Sequence, residues 1–116
     1  MFREWLERYR DWTGDRQLTR AIRAALRDEG YAVNASKTRR VRLAAIRRPG
    51  WEQVFRFEVE AYPRESDPQA AENEPILLHG LSRNDGRESK TEVFLTEDLK
   101  AWEDRLDAWS EGMIRR

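Results

Sequence analysis

The sequence predicts an α+β fold in the order ααββββα: two N-terminal helices, a four-stranded antiparallel sheet built from two hairpins, and a C-terminal helix. Three observations carry this reading. Apolar residues recur every three to four positions at both ends of the chain, and every second position in its middle. Turn residues, Pro49-Gly50 and Asp85-Gly86, divide the middle into strand pairs. Finally, 116 residues suffice for one core but not two, so 1–116 is read as a single domain.

Phe2, Trp5, Leu6, Tyr9 and Trp12 lie at helical spacing with charge between them, which predicts an amphipathic helix over about 2–12. Thr13-Gly14-Asp15 supplies a break and a new N-cap. The second helix carries Leu18, Ala21, Ile22, Ala25 and Leu26 on one stripe and stops at Gly30. Arg16, Arg20, Arg23 and Arg27 form a basic ridge on it, at spacings of three and four.

From about Arg39 the period becomes two. Alternation in Arg40-Val41-Arg42-Leu43 and from Trp51 to Ala61 predicts a hairpin, and a three-residue loop Pro49-Gly50-Trp51 keeps the apolar sets on one face. That register pairs Leu43 with Phe57 and Val41 with Val59. It also sets Arg42 against Glu58 and Arg40 against Glu60, at roughly 0.2–1 kcal/mol for each pair. Tyr62 to Pro75 is aperiodic, rich in proline and acidic, and is expected to be a flexible loop.

Asp85-Gly86 is a type I′ turn signal and predicts a second hairpin, with Leu78 opposite Val93, Leu77 opposite Phe94, His79 opposite Glu92 and Leu81 opposite Lys90. Thr96 is expected to cap a last helix on which Leu99, Trp102, Leu106, Trp109 and Met113 share a stripe.

Composition limits the functions open to such a domain. Charged residues make up 38% of the chain, against roughly 25% in average globular proteins. The net charge is zero, yet residues 1–48 hold 13 Arg/Lys against 6 Asp/Glu and the rest holds the reverse excess. Cysteine is absent, which excludes thiolate chemistry and disulfides and fits a cytoplasmic location. The first residues lack the apolar stretch of a secretory signal, and no apolar run reaches membrane-spanning length. There is no Gly-rich phosphate loop, no metal-ligand spacing and no nucleophile motif, so no cofactor, metal or catalytic residue is assigned.

Three candidate sites remain. On the predicted outer sheet face Val54, Leu77, Leu81 and Phe94 form an apolar patch, which reads as covered by the N-terminal helix of the same chain or by a second copy, or else as a contact surface for a protein partner. The ridge Arg16, Arg20, Arg23 and Arg27 reads as part of the same interaction function, or alternatively as a nucleic-acid contact. His79 and Glu92 form a third candidate, an acid–base pair for a small ligand. The sequence is therefore read as a non-catalytic interaction or accessory domain, with a homodimer as one way to cover its apolar face.

Overall fold

The computed structural model describes residues 16–47, 52–63, 74–85 and 90–116. The predicted helix over 2–12, its break at Thr13-Gly14-Asp15, the Pro49-Gly50-Trp51 loop and most of the acidic loop lie outside these residues. Helix α1 occupies residues 16–28. Strands β1 (Lys37–Arg47), β2 (Glu52–Ala61), β3 (Ile76–Asp85) and β4 (Lys90–Thr96) follow, then helix α2 (Leu99–Trp109) and a short strand β5 (Ile114–Arg115). All pairings are antiparallel, in the order β4-β3-β2-β1-β5. Among the described residues the fold is thus α+β with two helices and five strands, which corrects the predicted ααββββα layout with its four-stranded sheet.

The fifth strand arises because α2 ends early. Its last turn closes at Ser110, whose backbone N–H donates to the Leu106 carbonyl at 2.9 Å, as does its hydroxyl. Gly112 then takes a positive φ of 75°. The tail turns back along β1, pairing Ile114 with Ile46 and Arg115 with Ala45. Met113 therefore lies beyond the helix that its spacing suggested. The N-cap also differs from the expected Thr96: it is Asp98, whose carboxylate accepts from the Lys100 N–H at 3.1 Å.

Helix α1 ends as its glycine requires. Gly30 has φ +87°, and the Tyr31 and Gly30 N–H groups donate to the Leu26 and Arg27 carbonyls at 2.9 and 3.1 Å, the paired bonds of a Schellman motif. The following loop is tied to the end of β2. Ala32 N–H donates to the Tyr62 carbonyl, while the Ser36 hydroxyl donates to Ala32 and accepts from Tyr62 N–H.

Both faces of the sheet are covered by this chain. On one, Leu18, Ile22 and Leu26 of α1 pack on Phe55, Phe57, Val59, Ala61, Leu78 and Leu95. On the other, Leu106 and Trp109 of α2 pack on Ala44, Ala45, Val54 and Leu81, with Phe94 and Trp102 alongside. The sheet lies between two helices, rather than under helices on one side only. Alternation along β2 explains this: odd positions feed one core, and Val54 starts the other.

Both predicted hairpin registers are corrected. In the first, Leu43 faces Phe55 and Arg42 faces Arg56, and Arg47 meets Glu52. Two irregularities, between Arg39 and Arg42 and between Leu43 and Ala45, each insert one extra residue into β1. Arg40 sits in the first of them with φ 57°, the left-handed geometry of a bulge. The second lets both Ala44 and Ala45 turn toward α2. In the second hairpin Asp85 pairs with Lys90, and every partner moves by four residues. The predicted register would have set Leu81 against Lys90. The observed one pairs Leu81 with Phe94 and Arg83 with Glu92, joining apolar to apolar and cation to anion. An even shift preserves the faces, so the two core sets survive while each pair changes.

Candidate anion groove on the arginine side of the sheet

The register of β1 and β2 decides which arginines are neutralised. Arg39 reaches both Glu58, at 3.4 Å, and Glu60, and Arg40 reaches Glu58 at 3.5 Å. The glutamates expected to pair with Arg42 and Arg40 are thus held chiefly by Arg39. Arg42 stands directly opposite Arg56, and among the described residues neither takes part in an ion pair. Like charges facing each other across a ladder cost about as much as opposite charges gain, roughly 0.2–1 kcal/mol.

These two arginines share a groove. Arg40, Arg42, Arg56, Phe57, Glu58 and Trp102 line a cavity of about 320 Å³. The strands supply the floor, and α2, which packs on β3 and β4, supplies one wall through Trp102. The indole is anchored, because its Nε1–H donates to the Gly80 carbonyl at 3.0 Å. Its only polar atom is spent on the protein, so it offers an aromatic face rather than a donor. His79 is a neighbour of the indole, with ring centroids 6.2 Å apart.

The sites expected from the sequence fare differently. Val54 and Leu81 are fully buried and Phe94 is half-buried, all under α2. Leu77 alone of that patch is exposed, at 42%. His79 and Glu92 do not meet: His79 faces Glu58 on β2 and Thr96 on β4, while Glu92 accepts from Arg83 at 2.9 Å. Arg83 also lies over the Trp109 ring at 4.9 Å, so Glu92 belongs to a packed surface network.

Arg16, Arg20, Arg23 and Arg27 are exposed on α1, with Arg23 donating to the Asn34 side chain at 3.0 Å. This ridge rides on the α1 face of the sheet, whereas Arg42, Arg56 and Trp102 face α2. The two basic features therefore do not form one strip. At the C-terminal end of α1, burial raises the Glu29 carboxyl above its ordinary pKa. Burial also raises the Tyr31 phenol, with the charges of Glu97 and Glu29 adding to it.

Arg42, Arg56 and Trp102 were not singled out by sequence reasoning. An unbulged register gave Arg42 a glutamate, and Trp102 read as one more residue of a helix stripe. The run Leu43-Ala44-Ala45-Ile46, which breaks the alternation, was the visible sign that β1 does not run evenly.

Among the described residues no group of three or more His, Asp or Glu side chains could hold a metal ion, and no helix is long and apolar enough to cross a membrane. The fold and groove define an α+β helix–sheet–helix domain with a cationic, aromatic-walled cleft. Comparison with protein-family models, curated proteins and solved structures gives no match.

Proposed function

We propose that this chain is a small non-catalytic accessory domain that binds an anionic group of its partner or ligand in the arginine groove. The observation that carries the reading is the Arg42–Arg56 pair: two like charges held opposite each other, beside Arg40, in an open cleft. An arrangement that costs stability on its own is offset when an anion sits between the guanidiniums. The contact surface expected on the apolar sheet face moves to this groove, since α2 occupies that face, and with it goes the motive for a homodimer. The absence of cysteine supports a reducing compartment such as the cytoplasm.

The reading is tested by melting the protein in sodium phosphate and in sodium chloride at matched ionic strength. An anion at ten times its dissociation constant stabilises by about 1.4 kcal/mol, a rise of about 3–8 °C for a domain of this size. The rise is expected for the native chain and should largely vanish in Arg42→Gln and Arg56→Gln. Equal responses in all three proteins would show a general salt effect and reject the groove.

A further inference from the structure

Resting on that reading, we infer that the groove takes a nucleotide-sized aromatic phosphate, its phosphate between Arg42 and Arg56 and its ring against Trp102. Arg42 and Arg56 are direct partners on adjacent strands and line the same cleft, which places two guanidiniums within reach of one compact anion rather than of a row of them. Arginine is the side chain suited to bidentate phosphate recognition. The Trp102 indole, fixed by its bond to Gly80, offers a rigid stacking surface in the same cleft, and base–aromatic stacking serves any base. A cavity of about 320 Å³ falls at the lower end of the volumes that hold small ligands, roughly 300–1,000 Å³.

Extended nucleic acid fits less well. The groove wall includes Glu58, the exposed Glu103 and Asp104 follow Trp102 in α2, and the whole chain has no net charge. A strand of phosphates leaving the groove meets carboxylates, whereas a single phosphate with one ring does not. The arginine ridge of α1, on the opposite side of the sheet, cannot extend the track.

Calorimetric titration with adenosine monophosphate, adenosine, inorganic phosphate and an eight-residue oligothymidylate tests the inference at low salt. Adenosine monophosphate should bind at least tenfold more tightly than adenosine or phosphate alone. Arg42→Gln and Arg56→Gln should each weaken it by about tenfold or more, the loss expected for one charge-assisted contact. Trp102→Phe should reduce the advantage of the nucleotide over inorganic phosphate.

Phosphate binding as tight as nucleotide would overturn the inference and leave the anion groove standing. Tighter binding of the oligonucleotide, with a steep salt dependence, would overturn it in favour of a nucleic-acid strand. No binding of any of the four, or binding indifferent to both arginine substitutions, would remove the inference and the anion reading together.

Discussion

Gly80 makes a demand on the fold that can be tested by adding one carbon. It lies opposite Phe57 in the β2–β3 ladder, and the phenylalanine ring lies across it. A Cβ built on Gly80 would come within 2.2, 2.5 and 2.6 Å of the Phe57 Cε2, Cζ and Cδ2 atoms. Carbon atoms in good contact stand about 3.5–4.0 Å apart, so Gly80→Ala overlaps one edge of the ring by about an ångström or more. Phe57 is 2% exposed and packed in the α1-side core, so its ring cannot move away without disturbing that core.

Overpacking of this kind costs about 1–3 kcal/mol. Against it stands the reduced freedom of the unfolded chain, about 0.4–1 kcal/mol in favour of alanine. With contacts this short the cost lies at the upper end of that range, so the net expectation is a loss of about 2 kcal/mol, or about 8 °C in melting temperature, read by thermal and urea unfolding monitored by circular dichroism. Phe57→Leu should relieve part of the clash, so the double variant should be more stable than the two single losses added together by at least about 0.5 kcal/mol. A Gly80→Ala protein as stable as the parent, or strict additivity with Phe57→Leu, would refute the reasoning.

Gly30→Ala is the complementary case: nothing lies within 4 Å of the added carbon, but φ is +87°. It should cost about 1–2 kcal/mol from backbone conformation alone, with no coupling to any side-chain variant in the same unfolding assay. Arg42→Gln, measured without ligand, should raise stability by about 0.2–1 kcal/mol by removing the charge opposed to Arg56, and the gain should shrink in 1 M salt as exposed charges are screened. Because burial raises the Glu29 pKa, the folded state holds that proton more tightly than the unfolded state. The contribution is therefore full at acid pH and lost as pH rises through the folded pKa. Glu29→Gln should then be the more stable protein at neutral pH, with the difference fading below the carboxylate range in pH-dependent melts.

Much of this architecture was legible in the residues. The stripe Leu18, Ile22, Leu26 belongs to α1 and Gly30 stops it, both from local patterning. The alternation of Phe55, Phe57 and Val59 against Val54 correctly separated two sheet faces. What patterning could not say was which helix serves which face, because α1 and α2 both present apolar stripes wide enough to cover either. Pair identity was also hidden. A turn signal such as Asp85-Gly86 proposes a loop length, but Leu81 against Phe94 and Arg83 against Glu92 outweigh it once the strands align.

The groove illustrates the same limit at the level of function. Arg42 and Arg56 are 14 positions apart in a chain rich in arginine, and only a bulged register makes them neighbours. The bulge at Arg40 depends on β1 satisfying β2, β5 and the α2 core at once, a set of constraints spread over much of the chain.

Local periodicity sets the α+β class, the segments that become α1, α2 and the four long strands, and the two apolar sets, so all of these can be read from neighbouring residues. Tertiary structure alone decided the fifth strand, the side each helix takes, the partners within each ladder, and the groove. Those depend on long-range packing and charge pairing, in which a one-residue bulge replaces every partner beyond it.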